Sequence, residues 1–429
     1  MSTDTLAAQA LADWAARLDP DTADLALAQR ALVDSVAVAL AAADEPIGEI
    51  AARGGLGEAG CWATLTHILD FDDLHMPSTT HISTVCVPVA LALGGDARDY
   101  LVGAGVMARL GTALGWGHYQ AGWHATTTSG ALGAAAVAAS VFGLDAERTA
   151  AALALAVPAS GGVQAAFGTD AKSLQVGLAA DAGVRAAALA EAGASADPAA
   201  VEAWMRLLGG DPQALVASTD LAEAVPDGLA IKIYPCCYAL QRPIAAAATL
   251  REAVAQAGGA AQVDRIVVHT LTGAITPLHH HRPVSGLQGK FSLEYAVTAA
   301  LLDEHTGFGS FTDEAVLRSQ AQDLLRRVEV RTTPGGDGLL DGDTAVEVHL
   351  AGGGEPLTAS LDLPPGAPAR PPTTDELHAK VSDCLAAGSA SVTPGPLLAA
   401  SWQQCAALMR DTFPFDPDRH APLNISEHH

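Results

Sequence analysis

The sequence predicts a mainly α-helical protein with a second, α+β domain. Its 429 residues are 49% hydrophobic, which is enough apolar material for more than one core. Up to about residue 228 the apolar residues recur at helical spacing, whereas several later segments alternate apolar and polar residues. We therefore expect a helical domain over 1–228, completed by 372–429, and an α+β domain over 229–371.

The first domain is predicted to begin with two helices. In the second of them Leu25, Leu32 and Val36 fall on one face, and Asp21 or Thr22 can cap its start. Between 122 and 192 small residues recur every three or four positions, a pattern that lets helices pack closely and that indicates the centre of the domain. The helices expected in and around this domain are 4–18, 22–43, 59–69, 83–94, 97–115, 145–157, 374–386 and 396–409.

The second domain is predicted to contain an antiparallel sheet with one wet face, because its strands alternate in polarity. The expected strands are Val263 to Thr270, Val328 to Arg331, Ala345 to Leu350 and Leu357 to Leu363, with helices at 239–257, 292–303 and 313–326. The proline-rich stretch 363–372 indicates an extended linker. A two-domain protein of this kind is expected to bind its ligand in the cleft between the domains.

The composition excludes several classes of partner. The formal net charge of −25 disfavours binding to nucleic acid or to anionic membranes, and a small anionic substrate needs a few cations gathered in one pocket. The six cysteines show no metal or disulfide spacing, which indicates reduced thiols in a cytoplasmic protein. The first residues lack the pattern of a signal peptide, and the apolar run 131–144 is too short to span a bilayer.

The densest group of titratable residues is the stretch 70–75, Asp-Phe-Asp-Asp-Leu-His, followed by His81. Carboxylates this close together in a shielded site differ in proton affinity, which provides one acid and one base near neutral pH. The alternative is a solvated helix end with capping aspartates. The stretch is therefore a candidate for proton-transfer chemistry.

Few residues supply unit positive charge, because only four of the 23 Lys and Arg residues are lysines. A position that keeps Lys is a candidate for needing an ammonium group with an adjustable pKa. Lys172 and His124 lie beside Thr and Gly at apparent helix starts, where backbone N–H groups can hold an anion. A surface lysine and a buried core histidine are the alternatives.

Five motifs together resemble the MmgE/PrpD family over roughly residues 5 to 385. They contain, in the family's order, the 70–73 acidic stretch with His81, GWHATTTSGALGAAAVAA, FGTDAKSLQVGLAA, KIYPCC and GKFSLEYAVTAALLD. The resemblance implies a helical domain closed by an α+β lid, a homodimer, and acid–base chemistry without a cofactor or metal on a small di- or tricarboxylate. The catalytic positions that it implies are Asp70, His81, His124, Lys172, Lys232 and Tyr295.

The substrate contacts that we expect are Asp73, Leu74, Thr126, Cys237, His280 and Arg282. Cys237 falls on a position that is histidine in some members, and Leu74 on one that is often threonine. His280 and Arg282 belong to a basic loop that can reach a substrate carboxylate. These departures put the substrate in question more than the chemistry.

The resemblance favours a lyase that dehydrates or decarboxylates its substrate. In that mechanism Lys172 and Lys232 supply positive charge, Asp70 orients His81, and His124 and Tyr295 donate protons. An epimerase that abstracts a proton next to a carboxylate is the second reading. A non-catalytic polycarboxylate-binding protein is the third, because Leu74 and Ile82 interrupt the motifs.

Two readings from other classes are disfavoured. The acidic stretch also fits the DxDD motif of class II terpene cyclases, but those enzymes line their pockets with aromatic rings and this chain is 4% aromatic. The run 279–281 is three consecutive histidines, which rarely point at one metal ion on a loop. We expect a solvated or substrate-facing loop there.

Overall fold

The computed structural model describes residues 5–336, 341–389 and 391–414. It divides into two compact units, Met1–Ala230 with Cys384–His429, and Ile231–Asp383. The predicted start of the first helix at residue 4 and the last part of the predicted helical domain, 415–429, lie outside the described residues.

The first unit is helical. Its helices are α1 (Ala7–Arg17), α2 (Thr22–Ala41), α3 (Ile47–Arg53), α4 (Glu58–Ile68), α5 (Ser83–Leu93), α6 (Ala97–Gln120), α7 (Ala125–Val141), α8 (Ala146–Ala156), α9 (Ala171–Glu191), α10 (Ala199–Leu207), α11 (Pro212–Ser218), α18 (Pro394–Leu398) and α19 (Trp402–Thr412). Helix α17 (Thr374–Ala387) begins in the second unit, and its last residues, from Cys384, are assigned to the first. Asp21 caps α2 by accepting hydrogen bonds from the Ala23 and Asp24 N–H groups, as its sequence indicated. Among the described residues, no helix is long and apolar enough to cross a membrane.

Small residues bring the central helices of this unit together. A Cβ added at Gly177 on α9 would lie 2.5 Å from the Gly60 carbonyl oxygen on α4. A Cβ added at Gly60 would in turn lie 2.9 Å from the Gly177 carbonyl oxygen. Helix α7 is buried along almost its whole length, as the small-residue pattern predicts. The two glycines therefore allow the backbones of α4 and α9 to contact each other directly.

The second unit is α+β. Its helices are α12 (Gln241–Gln256), α13 (Gly286–Gly289), α14 (Leu293–Leu302), α15 (Asp313–Leu317) and α16 (Ser319–Leu325), and its strands are β1 (Val263–Leu271), β2 (Val328–Thr333), β3 (Thr344–Leu350) and β4 (Leu357–Leu361). The predicted helix 313–326 is two helices, because the Arg318 backbone is extended at ψ 135°. Residues 372–383, expected with the helical domain, group with this unit, where Asp383 accepts a hydrogen bond from the Phe308 N–H.

The sheet is mixed, and the expectation of an antiparallel sheet was wrong for one pair. Its strand order is β2-β1-β3-β4. β3 pairs antiparallel with β1 and β4, whereas β1 and β2 run parallel, with Ile266 opposite Val328. A parallel pair needs a long crossover connection, and here the chain passes through α13 to α16 between the two strands. Polarity alternation does not reveal strand direction.

Candidate active site

The loop between α4 and α5 is fixed by His75. Its Nδ1 lies 2.7 Å from the Ser78 hydroxyl and its Nε2 lies 2.8 Å from the Pro226 carbonyl oxygen. Because a carbonyl only accepts, Nε2 carries the hydrogen and Nδ1 accepts from Ser78. Burial lowers the pKa of His75 to about 4, so the ring is neutral. His75 therefore holds the loop in place, with both ring nitrogens engaged.

Asp70 and Lys172 form an ion pair across the first unit. The Lys172 Nζ, at the start of α9, lies 2.7 Å from Asp70 Oδ1, and both side chains are mostly buried. Asp70 follows the end of α4 with φ at +56°, a left-handed conformation that few non-glycine residues adopt. The turn aims its carboxylate at α9. The Lys172 ammonium also lies 5.4 Å from the centre of the Phe167 ring.

Asp72 lies between two imidazoles. Its Oδ2 is 2.7 Å from Nδ1 of His67 and 3.1 Å from Nδ1 of His81. Burial raises the pKa of Asp72, but the two imidazoles lower it by more, so its pKa lies well below the ordinary value. Burial lowers the pKa of His67 to about 4, and Lys172 and His81 add to the effect against the opposing pull of Asp72. The site thus holds an anionic carboxylate beside a neutral imidazole.

His124 completes this group of rings. It is the N-cap residue of α7, and its backbone N–H donates to the Gly162 carbonyl at 3.0 Å. Its ring stacks on His67 with 5.6 Å between centroids. It meets the Phe167 ring edge to face, with 4.9 Å between those centroids. Burial lowers the pKa of His124 well below its usual range, and His67, Lys172 and His81 lower it further. His124 is therefore neutral at pH 7.

Three predicted substrate contacts lie in the same unit. The Thr126 hydroxyl accepts a hydrogen bond of 3.0 Å from the His81 backbone N–H, which places His81. The Asp73 carboxylate is fully buried and accepts from the Ser83 hydroxyl and N–H, and burial raises its pKa to about 7. Leu74 is buried, and its backbone exchanges hydrogen bonds with Ala230.

The other predicted site residues belong to the second unit. Lys232 and Tyr295 are buried, and the Tyr295 hydroxyl donates to the Ser310 carbonyl while burial raises its pKa to about 12. Cys237 is buried, and its backbone N–H donates to the Lys290 carbonyl. His280 is partly buried and Arg282 is exposed. That these five residues share one crevice with the first unit's cluster stays a prediction.

Sequence reasoning missed His67 and Asp72. The sequence predicted that Asp70 orients the His81 imidazole. In the structure Asp72 lies against His81, and Asp70 pairs with Lys172. Asp72 stands inside the acidic stretch, and His67 precedes Asp70 by three residues on the last turn of α4. A histidine one helical turn before an acidic loop was the available signal.

His67, Asp72 and His81 also form a group that has the right donor atoms for a metal ion, with those atoms within 4.8 Å of one another. Ligands on tetrahedral zinc, at bond lengths of about 2.0–2.1 Å, stand about 3.3 Å apart. The His67 to Asp72 separation of 2.7 Å is shorter and matches a charge-assisted hydrogen bond. The arrangement fits a hydrogen-bonded chain better than a coordination shell. In the 279–281 run, His281 pairs with Glu294 at 2.9 Å.

Comparison with known proteins places the chain in a family. The MmgE/PrpD N-terminal domain matches residues 58–209, and the MmgE/PrpD C-terminal domain matches residues 234–392. The chain belongs to the MmgE/PrpD family. Every residue of the first unit's cluster lies within the MmgE/PrpD N-terminal domain, whereas Lys232 falls just before the C-terminal one.

Three cis-aconitate decarboxylases are similar to this MmgE/PrpD protein. The human enzyme is 28% identical over 289 residues, covering 62% of this chain and 60% of its own length. The Aspergillus terreus enzyme is 24% identical over 350 residues, covering 72% and 70%, and the Mus musculus enzyme is 27% identical over 296 residues, covering 62% and 59%. The match thus spans about three-fifths of the two mammalian enzymes.

Proposed function

We propose that this MmgE/PrpD protein is a lyase that dehydrates or decarboxylates a small di- or tricarboxylate by acid–base catalysis, without a cofactor. The similarity to three cis-aconitate decarboxylases supports the reaction class. One structural observation carries the proposal: the Lys172–Asp70 ion pair stands beside an anionic carboxylate bridged by two imidazoles.

Both reactions place a pair of electrons on a carbon next to a carboxylate. In dehydration a base removes the proton on that carbon and the neighbouring hydroxyl leaves as water after protonation. In decarboxylation the bond to CO₂ breaks and a proton replaces it. Each therefore needs one positioned base or acid and a cation beside the remaining carboxylate.

The first unit contains groups suited to these roles. His81, whose side chain is 14% exposed, is the proposed base or acid, held by Asp72. Lys172 provides the ammonium for the substrate carboxylate, and neutral His124 is a second hydrogen-bonding group. Lys232 and Tyr295 are proposed to assist from the second unit, with Cys237, His280 and Arg282 as substrate contacts.

The test is a proton NMR assay in D₂O with 2-methylcitrate, cis-aconitate and iminodisuccinate. New alkene signals from 2-methylcitrate, or loss of a carboxylate as CO₂ from cis-aconitate, support the lyase. Deuterium uptake with inversion identifies an epimerase instead. Calorimetric binding of any of the three without turnover identifies a non-catalytic binding protein, and the absence of both turnover and binding contradicts the proposal for these substrates.

We also propose a cytoplasmic homodimer. All six cysteines, each within the described residues, are buried thiols, which suits a reducing compartment. Sedimentation equilibrium tests the assembly, since a dimer of the 43.4 kDa chain has twice that mass.

A further inference from the structure

Asp72 is shared by two imidazoles that differ in their access to a ligand. The side chains of His67 and Asp72 are 0% exposed, whereas His81 is 14% exposed. Both rings direct the same nitrogen, Nδ1, at the same oxygen, Asp72 Oδ2. Of the three groups, only His81 reaches the surface of the first unit. His67 can therefore act on a substrate at His81 through Asp72, and also through its own ring, which meets the His81 ring edge-on with 4.9 Å between centroids.

The positions of the hydrogens follow from the acceptor. An ionised carboxylate only accepts hydrogen bonds, so His67, bound to it at 2.7 Å, carries a hydrogen on Nδ1. His81 Nδ1 lies 3.1 Å from the same anionic oxygen, outside hydrogen-bond geometry, and an N–H there is electrostatically favoured over a bare lone pair. The neutral form of each ring then has a bare lone pair on Nε2. For His81 this nitrogen is the one available to take a proton from a substrate. For His67, Nε2 has no hydrogen-bonding partner and is buried.

We infer that His67 and Asp72 are a positioning pair for His81. Asp72 fixes the orientation and tautomer of His81, and His67, by donating to the same oxygen, limits the negative charge that His81 receives. This inference rests on the proposed function for its catalytic consequence, but the hydrogen-bonding pattern itself does not depend on turnover.

The inference predicts the direction in which the proton affinity of His81 moves. When one hydrogen-bond donor is removed, the negative charge of the carboxylate acts more strongly on the remaining imidazole. A nearby negative charge favours the protonated form of an imidazole. The remaining groups around His81 stay in place: His124 stacks on His67, Lys172 is paired with Asp70, and Thr126 binds the His81 backbone N–H. Asp73 lies next to Asp72 in the chain and is bound to Ser83.

Two substitutions test this with opposite signs. His67→Phe keeps a ring but removes the donor, and should raise the pKa of His81. Asp72→Asn removes the charge and should lower that pKa. His67→Asn places an amide N–H near the former Nδ1, and should restore the wild-type value to within a few tenths. His349→Gln, on β3 of the second unit, is the control and should leave the value unchanged.

The measurement is long-range ¹H–¹⁵N correlation NMR of the full chain labelled with ¹⁵N-histidine, recorded against pH without substrate. In the wild type, His67 and His81 should both appear as neutral Nδ1–H tautomers at pH 8. An Nε2–H tautomer for either ring overturns the inference. So does a His81 pKa that His67→Phe leaves unchanged, and the wild-type tautomers decide the matter if that variant does not fold.

A second measurement links the pair to catalysis. On the substrate found in the D₂O assay, the pH profile of kcat/KM should shift upward in His67→Phe and downward in Asp72→Asn, in step with the NMR values. A profile that loses amplitude without shifting contradicts the positioning role. If no substrate turns over while the NMR results hold, the proposed function fails and the hydrogen-bonding inference stands.

Discussion

Lys172 is the residue on which the proposed chemistry depends most. Lys172→Ala should reduce turnover by about 10²–10⁴-fold, because it removes the ammonium that lies 2.7 Å from Asp70 Oδ1 and that is proposed to hold the substrate carboxylate. The thermal midpoint should fall, because the substitution leaves the mostly buried Asp70 carboxylate without this ammonium. The assay is steady-state kinetics with circular dichroism melting.

The matched control is Arg53→Ala. Arg53 is 80% exposed and pairs only loosely with Glu49 at 3.9 Å, so its removal should affect neither activity nor melting. Retained activity in Lys172→Ala would remove that residue from the mechanism.

Metal removal is a second test at the residue scale. Because the 2.7 Å separation of His67 and Asp72 fits a hydrogen bond, dialysis against EDTA should leave turnover and melting unchanged. Metal content is checked by mass spectrometry before and after dialysis. Stoichiometric zinc, lost together with activity, would assign these side chains to a coordination shell.

At this scale the sequence predicts which residue types matter better than it predicts their partners. The acidic stretch, His124 and Lys172 are visible as rare charged groups in an apolar chain. Which carboxylate pairs with which cation or imidazole, Asp72 with His81 and Asp70 with Lys172, depends on the left-handed turn at Asp70. No periodicity encodes that turn, so the sequence shows the acidic stretch and the histidine before it but not which of these groups pair.

The close approach of α4 and α9 is the element-scale feature that positions the cluster. α4 carries His67 on its last turn and α9 carries Lys172 near its start. Gly177→Ala should destabilise the protein by about 1–3 kcal/mol, because the added methyl group meets the Gly60 carbonyl oxygen at 2.5 Å. It should also lower activity by moving α9 away from α4.

Gly117→Ala on α6 is the control for this substitution. Nothing lies within 4 Å of a Cβ added there, and alanine favours a helix over glycine, so stability should be unchanged or rise by up to about 1 kcal/mol. Urea denaturation of the two variants gives both values. Equal stability of Gly177→Ala and wild type would show that the helices separate without cost.

Elements with strong local signals are the ones that the sequence predicts. α2 begins at its expected cap, and β1, β3 and β4 begin within one residue of the alternating segments. The short α3 has too few residues for a periodic pattern. The parallel pairing of β1 and β2 depends on the path of the chain between them, which strand patterns do not contain.

The whole molecule should lose stability in mild acid. His67 and His75 each have a pKa of about 4 in the folded protein against about 6.5 when unfolded, with burial the largest cause. Their contribution is complete above pH 6.5 and is lost as the pH falls towards 4, because the unfolded chain binds protons first. Asp73 opposes this, since its raised pKa of about 7 favours the folded state at low pH. With His124 also held neutral, the histidines outweigh it.

The substitution His75→Gln measures the part of this acid-induced loss of stability that is due to His75. Glutamine can keep the hydrogen bond to the Pro226 carbonyl but does not titrate. The difference in unfolding free energy between pH 7.5 and pH 5 should therefore shrink by about 2 kcal/mol in the variant. Urea titrations at the two pH values measure it, and an unchanged difference would mean that His75 is not held neutral.

The backbone conformation at Asp70 limits which residues can replace it. Only glycine, asparagine and aspartate enter its φ of +56° readily, and other residues pay about 1–2 kcal/mol. Glutamate is elsewhere the conservative replacement for aspartate. Here it would incur the same backbone cost, and its longer side chain would not place the carboxylate at Lys172. A saturation library at this codon, selected for folding, should return Asp, Asn and Gly, and selection for catalysis should return Asp alone.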